Sequence, residues 1–222
     1  MDILQAINER HSVRLYSDKP IETEALAVLQ EEVRRCNEES GLRIQLMVNE
    51  PKAFGAGKTS YGLVKNAANY FALVGTPGEG FEEKCGYFGQ RLVLKAQQLG
   101  LNTCWVGLTY KKGHAPVDVR EGEKLLLVIA LGYGVTPGTP HKSKSSEKVS
   151  NLTSDSPDWF RKGVETALLA PTAVNQQQFY LSLEKDEKVA AKAKLGFFAK
   201  VDLGIVKYHF ELGAGKENIQ WV

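Results

Sequence analysis

The chain has 222 residues, a formal net charge of +2, 43% hydrophobic residues and 24% charged residues, an ordinary globular composition. The small net charge gives no reason to expect nucleic acid or a membrane surface as a partner, so an anionic ligand must be held by a few local basic residues. The length is enough for one large domain or for two small halves packed together.

The N-terminus and the cysteines favour a cytoplasmic protein. Residues 1–6 show no basic region, apolar core or cleavage site of a secretory signal. The longest apolar run, 125–131, is far too short to span a bilayer and is typical of a buried strand. Cys36, Cys85 and Cys104 are odd in number and widely spaced, which favours neither a disulfide framework nor a zinc site.

Apolar spacing predicts the elements of the first 132 residues in chain order. Recurrence every three or four residues predicts a helix, and alternation or a short apolar run predicts a strand. The first predicted helix starts near residue 3 and stops before Arg10. The other predicted helices cover 22–37, 61–68 and 85–99. The predicted strands cover 44–48, 70–76, 103–107 and 124–132.

A second series of elements follows a long connection, 134–157, which is rich in Gly, Pro, Ser and Lys. Its predicted helices cover 158–169, 186–194 and 202–213, and its predicted strands cover 178–183 and 219–222. Both series contain a helix, a Leu-Gly stop, a short loop and a strand that ends in Trp-Val. The two copies are Leu99-Gly100…Trp105-Val106 and Leu212-Gly213…Trp221-Val222. We interpret this echo as a divergent internal duplication.

Several familiar chemical motifs are absent or incomplete in the sequence. The run from Gly55 to Thr59 ends like a phosphate loop, but Lys52 stands where that pattern needs its first glycine. We interpret the run as a mobile glycine loop. The four histidines are far apart, so we expect no metal, and no Ser or Cys lies in the nucleophile elbow of a hydrolase.

The segment Arg10-His11-Ser12-Val13-Arg14-Leu15-Tyr16, named the 10–16 segment, follows the first predicted helix. In an extended chain Arg10, Ser12 and Arg14 share one side. Two guanidinium groups around a hydroxyl suit a phosphate, although a solvated basic turn is the competing interpretation. The segment also resembles the Arg-x-Ser-x-Arg motif of the nitroreductase family. That resemblance implies that Arg10, His11, Ser12 and Arg14 hold the phosphate and ribityl chain of FMN.

The stretch 170–179, Ala-Pro-Thr-Ala-Val-Asn-Gln-Gln-Gln-Phe, resembles the same family's Ala-Pro-Ser-x-x-Asn-x-Gln-Pro-Trp loop. Thr172 replaces the serine, and Gln178-Phe179 replaces Pro-Trp. The resemblance implies contacts to the flavin ring and ribityl hydroxyls from four residues, Pro171, Thr172, Ala173 and Asn175. The alternative is a helix C-terminus followed by a polar connection.

Two further stretches are similar to family motifs. The stretch 99–108 is similar to Leu-Gly-Leu-Gly-Thr-x-Trp-Ile-Gly, which implies that the backbone of Val106, Gly107 and Leu108 passes the reactive edge of the flavin. The stretch 130–134, Ala-Leu-Gly-Tyr-Gly, departs from the family's Leu-Gly-Tyr-Pro at its last residue. In the family a basic pair follows this stretch and contacts the phosphate. Lys142 and Lys144 match that pair, so the resemblance implies that they contact the FMN phosphate. The alternative is that both lie in a solvated loop.

The motifs occur in an unusual order, because the Pro-Thr…Asn loop lies near residue 171 instead of a few dozen residues after the 10–16 segment. Family members are usually homodimers in which each flavin site takes motifs from both subunits. We therefore predict a fused pseudo-dimer with halves 1–150 and 151–222, one complete flavin site, and a monomeric chain with an internal pseudo-two-fold axis.

The resemblance implies an α+β, nitroreductase-like fold, with central mixed, mainly antiparallel sheets flanked by helices. It also implies an FMN-dependent oxidoreductase that takes hydride from NADH or NADPH and reduces nitro compounds or similar small electron acceptors by a ping-pong route. No side chain is expected to act as a catalytic acid or base. The alternatives are a reductase of quinones, enones or halogenated phenols, and a non-catalytic flavin-binding or interaction module.

Overall fold

The computed structural model describes residues 1–54 and 64–222, which form helices and antiparallel sheets. The helices are α1 Ile3–Glu9, α2 Thr23–Ser40, α3 Phe81–Gln98, α4 Ser146–Val149, α5 Asp158–Ala167 and α6 Ala199–Ala214. The strands are β1 Gln45–Met47, β2 Asn69–Gly75, β3 Asn102–Val106, β4 Lys124–Gly132, β5 Phe179–Leu183 and β6 Val189–Ala193. The α+β class predicted from the sequence is confirmed.

The chain divides into two compact units that are interleaved along the sequence. Unit 1 contains Met1, Glu9–Phe81 and Arg91–Pro140, and unit 2 contains Asp2–Asn8, Glu82–Gln90 and His141–Val222. Residues 141–150, which the sequence analysis places in the first half, therefore belong to unit 2 by their contacts. The proposed descent of residues 1–150 and 151–222 from one ancestral half stays a prediction.

Unit 1 is built on a four-stranded sheet in the order β1-β2-β4-β3, in which each described strand pair is antiparallel. The two central strands, β2 and β4, are almost entirely buried, as their continuous apolar sequences require. One face carries a core cluster that includes Tyr16, Phe54, Tyr70 and Val128. The helix α2 ends where Gly41 adopts φ 73°, a conformation that glycine reaches without steric cost.

Unit 2 contains a helix crossing that only glycine permits. A Cβ atom on Gly86 of α3 would lie 1.9 Å from the carbonyl oxygen of Val201, and one on Gly204 of α6 would lie 1.9 Å from that of Glu83. The two backbones are therefore in direct contact. On the other side of α6, Phe160 of α5 packs edge-on against Phe210, with ring centroids 5.6 Å apart. The strands β5 and β6 form a separate antiparallel pair.

Most predicted elements are present, but the predicted helix at 186–194 is wrong. Residues 189–193 form β6, which pairs with β5 in the register Phe179↔Ala193 to Leu183↔Val189. Its Ala- and Lys-rich sequence favours a helix locally, but pairing with a neighbouring strand overrides that preference. The C-terminal strand predicted at 219–222 is reduced to one bridge, from Trp221 to Val189.

The predicted helix at 61–68 is also wrong over its described part, since 64–68 are not helical. Lys65 exchanges backbone hydrogen bonds with the 10–16 segment instead, donating to Arg14 and accepting from Tyr16. Residues 61–63 and the predicted glycine loop from Gly55 to Thr59 lie outside the described residues. Within the described ranges, no helix combines the length and apolar character that spanning a bilayer requires.

Candidate functional site

The 10–16 segment lies beside the start of β3 in unit 1. Once α1 ends at Glu9, the chain is extended, and Ser12 forms a parallel bridge with Thr103. The backbone N–H of Val13 donates to the carbonyl of Thr103 at 3.0 Å. Val13 and Tyr16 are buried beneath the segment and anchor it to the core. The predicted extended conformation is therefore present, and the sheet fixes its position.

Arg10 is the unusual residue of this segment. Its side chain is only 4% exposed, and its Nε atom has no hydrogen-bond partner among the described residues. Burial lowers the pKa of the Arg10 guanidinium to about 10, and Cys104 opposes this effect. Burying a charge without a partner costs several kcal/mol in proteins. Leaving one buried donor without a hydrogen bond costs about 1–3 kcal/mol. Arg10 is therefore a buried cation with a donor atom that no described residue satisfies.

The other polar residues of the segment are more exposed than Arg10. Arg14 is exposed and Ser12 is half-buried, whereas Arg10 is buried, so the two guanidinium groups lie in different environments. The expectation that Arg10, Ser12 and Arg14 share one side stays a prediction. Both guanidinium groups are close to Cys104 of β3: burial raises the pKa of that thiol, whereas Arg14 and Arg10 lower it. Two cations thus share one neighbourhood at the start of unit 1.

A glycine turn passes over the same segment. Gly138 has φ 83°, and a Cβ atom there would lie 2.9 Å from the Cβ atom of His11 and 3.3 Å from the carbonyl oxygen of Ser12. Only glycine fits this approach. At the other end of β3, Val106 is buried, while Leu108 is 73% exposed two residues later. The backbone from Val106 to Leu108 thus leaves the core. Its passage along the reactive edge of the flavin stays a prediction.

In unit 2 the residues Thr172 to Gln177, named the 172–177 loop, follow α5 and the buried Pro171. Three of them are in the left-handed region: Val174 at φ 47°, Asn175 at φ 55° and Gln177 at φ 47°. Such conformations cost about 1–3 kcal/mol each outside glycine and persist only where the surroundings enforce them. The strain is most notable for Val174, which is β-branched and 88% exposed.

The predicted basic pair contacts this loop directly. Lys144 donates from Nζ to the carbonyls of Gln176 and Gln177, at 2.7 and 3.1 Å. The carbonyl of Lys142 accepts from the side-chain amides of Asn175 and Gln177, both at 2.9 Å. The sequence predicted a phosphate contact for this pair. The structure adds a supporting role, since residues 142–144 hold one side of the 172–177 loop.

Asp202 of α6 holds the other side of the loop. Its two carboxylate oxygens accept from the backbone N–H of Ala173 at 3.0 and 3.1 Å, and one also accepts from Nε2 of Gln176 at 2.8 Å. Asp202 is 2% exposed, and burial raises its pKa to about 6 despite these hydrogen bonds. Sequence reasoning missed this residue. The available signal was one acidic side chain among Val201, Leu203 and other apolar residues at the start of a predicted helix.

The structure thus groups the predicted site residues into two sets. Unit 1 contains Arg10, His11, Ser12, Arg14, Val106, Gly107 and Leu108, and unit 2 contains Lys142, Lys144, Pro171, Thr172, Ala173 and Asn175. In the part of the chain that the structure describes, no three His, Cys, Asp or Glu side chains are grouped so that they could hold a metal ion. The predicted site residues supply guanidinium and ammonium groups, hydroxyls and backbone N–H groups.

The fold and these motifs define a protein of the nitroreductase fold, and comparison with known families agrees. Residues 2–214 match the family model described as "Putative TM nitroreductase". Since the match covers nearly the whole chain, the protein belongs to this nitroreductase family. No curated protein matches the sequence significantly.

Solved structures share the fold at low sequence identity. A protein from Thermotoga maritima described as a "putative nitroreductase" is 21% identical, with a TM-score of 0.68 over 98% of this chain and 85% of its own. One from Desulfovibrio desulfuricans, also a "putative nitroreductase" and in complex with FMN, is 22% identical, with a TM-score of 0.55 over 71% of this chain and 99% of its own. A "Putative NADH dehydrogenase/NAD(P)H nitroreductase" from Bacteroides thetaiotaomicron is 21% identical, with a TM-score of 0.52 over 66% of this chain and 95% of its own.

Proposed function

We propose that the protein is an FMN-dependent oxidoreductase that uses NADH or NADPH to reduce nitro compounds or similar small electron acceptors. Membership of the nitroreductase family and the FMN complex of the Desulfovibrio relative support this proposal. The observation that carries it is the buried guanidinium of Arg10, whose Nε lacks a partner among the described residues. A planar guanidinium can bond two oxygens of one phosphate at once, so the phosphate of FMN suits this donor group.

The residues of the 10–16 segment fit the phosphate end of FMN. That phosphate carries nearly two negative charges at neutral pH. Arg10 and Arg14 supply two positive charges near Cys104, and Ser12 adds a half-buried hydroxyl. The close passage of Gly138 over His11 and Ser12 leaves no room there for a side chain. Each charge-assisted hydrogen bond to the phosphate contributes about 1.5–3 kcal/mol.

The 172–177 loop carries neutral polar groups of the kind that suit the ribityl hydroxyls and ring of a flavin. The hydroxyl of Thr172 accepts from the N–H of Gln177 at 3.0 Å and keeps its own proton for donation. The loop conformation is fixed by Lys144, Asp202 and the carbonyl of Lys142. A loop braced in this way presents its polar groups without further ordering cost. That both residue sets hold a single flavin stays a prediction of the sequence, which a ratio of one FMN per chain would support.

When bound, FMN supplies the hydride-transfer chemistry, and the protein binds and orients it. In this scheme Arg10 and Arg14 offset the phosphate charge, and the backbone from Val106 to Leu108 offers N–H groups close to the core. The residues named here bind and position, so none of them is proposed as a catalytic acid or base. The acceptor is not fixed by these residues, and quinones and enones remain within the same proposal.

The test begins with the purified protein and added FMN. We expect a yellow complex whose flavin absorbance is bleached by NADH or NADPH and restored by a nitroaromatic acceptor. A protein that binds FMN but resists both nicotinamides would be a flavin-binding module. A protein that stays colourless with excess FMN would refute the proposal.

A further inference from the structure

The 172–177 loop holds a conformation that its own sequence does not favour. Val174, Asn175 and Gln177 all have positive φ angles, and none of them is glycine. The loop amides are nevertheless bonded: Asn175 and Gln177 donate to the carbonyl and the hydroxyl of Thr172, and Gln176 donates to the carbonyl of Ala173. Local bonds of this kind can close a turn, but they do not fix its place on the protein. That place is set by contacts from outside the loop.

Asp202 provides such a contact at a site where an apolar residue would be expected. Its neighbours on α6, Val201, Leu203, Ile205 and Val206, are buried. Its partners among the described residues are the N–H of Ala173 and the amide of Gln176. Burying a carboxylate there is costly, and its pKa rises to about 6 accordingly. The same Gln176 amide also donates to the carbonyl of Phe197 at 2.5 Å.

From this geometry we infer that Asp202 is a positioning residue, whose carboxylate holds the 172–177 loop in the conformation that receives the flavin. The identity of the ligand, a flavin, rests on the proposed function, whereas the contact between Asp202 and the loop does not. The carboxylate ties the start of the loop to its middle, because Ala173 and Gln176 are bound at once. Lys144 holds the carbonyls of Gln176 and Gln177.

An ordinary role at the start of a helix does not explain Asp202. Acidic residues in the first turn often offset the helix dipole or bond the free N–H groups of that turn. Here, both carboxylate oxygens instead accept from Ala173, which precedes α6 by 26 residues along the chain. The contact is therefore made with the loop, and removing it should affect the loop before it affects the helix.

The first experiment measures amide hydrogen exchange in the flavin-free protein. We expect the amides of residues 173–177 to exchange at least tenfold faster in Asp202→Asn, because an amide group facing Gln176 presents a donor to a donor. Gln176→Leu removes the same bond from the half-buried side, so it tests the contact even if the Asn variant folds poorly. Unchanged exchange in both variants would overturn the inference, whatever the flavin does.

A matched control lies on the same helix. Glu211 of α6 accepts from Oη of Tyr87 at 2.6 Å and from Nε1 of Trp221 at 2.8 Å, so Glu211→Gln makes the same chemical change away from the loop. We expect this variant to leave the exchange of residues 173–177 unchanged. Faster loop exchange in Glu211→Gln would show a general loosening of α6 and would count against a specific contact.

The second experiment measures flavin affinity by fluorescence titration, with the melting temperature as a check on folding. We expect Asp202→Asn to bind FMN and riboflavin about tenfold more weakly than the original protein, at a pH and temperature where the melting curves show that both proteins are fully folded. Riboflavin lacks the phosphate, so an equal loss for both ligands places the defect in the loop. Unchanged affinity would overturn the positioning role. If the original protein bound neither flavin, the proposed function would fail, while the exchange experiment would still decide the contact.

Discussion

The raised pKa of the buried Asp202 carboxylate predicts how the free energy of unfolding depends on pH. Burial raises its pKa from 3.8 to about 6 in the folded protein. The folded state therefore holds this proton more tightly than the unfolded state does. The contribution of Asp202 to stability is greatest below its pKa in the unfolded chain, 3.8, and is lost as the pH rises through its folded-state pKa of about 6. The difference between the two pKa values corresponds to about 3 kcal/mol in total.

The substitution Asp202→Asn removes this titration. The measured quantity is the free energy of unfolding of the variant minus that of the original protein. We expect this difference to increase by about 2 kcal/mol as the pH rises from about 4.5 to about 7.5. Urea denaturation of both proteins, flavin-free and at several pH values, gives this difference directly. The lost bond to Gln176 adds an offset that does not depend on pH, because the titration of Asp202 is already counted in the pKa difference. The change with pH is therefore the informative quantity. Parallel stability curves for the two proteins would refute the reasoning.

Four further expectations follow from individual residues. Arg10→Ala should weaken FMN binding at least tenfold in a fluorescence titration, whereas the exposed control Arg35→Ala should not; equal affinities would contradict the phosphate assignment. Gly204→Ala should lower the free energy of unfolding, measured by urea denaturation, by about 1–3 kcal/mol or more, because its Cβ would enter the backbone of α3. Val174→Gly should raise the melting temperature, since it relieves about 1 kcal/mol of left-handed strain at an exposed site. The thiols of Cys36 and Cys85 should resist labelling near neutral pH in the folded protein, because burial raises the pKa of each to about 12.

The elements that the sequence predicted well are those with strong local signals. The helix α2 has an apolar stripe and a glycine stop at Gly41, and β4 is a continuous apolar run. Local patterns failed where pairing decided the outcome. The segment of β6 is rich in alanine and lysine and becomes a strand because β5 lies beside it. Lys65 is extended because the 10–16 segment takes its backbone hydrogen bonds.

The candidate site shows the same division. The 10–16 segment was proposed from its residue types and its resemblance to a family motif, and the 172–177 loop was proposed from such a resemblance. Burial was not visible in that pattern, so the sequence did not distinguish the buried Arg10 from the exposed Arg14. The support of the loop by Lys144 and Asp202 depends on long-range contacts, 32 and 29 residues apart along the chain. Spacing alone carries no information about such contacts.

The glycine crossing of α3 and α6 has a consequence for the precision of the loop. Gly204 is two residues from Asp202, and its backbone touches Glu83 and Tyr87. Sliding α6 along its axis by one residue would move Asp202 by about 1.5 Å, enough to break its bond to Ala173. The notch formed by Gly86 and Gly204 prevents that slip. A methyl group added in the notch would thus misplace a carboxylate that it never touches.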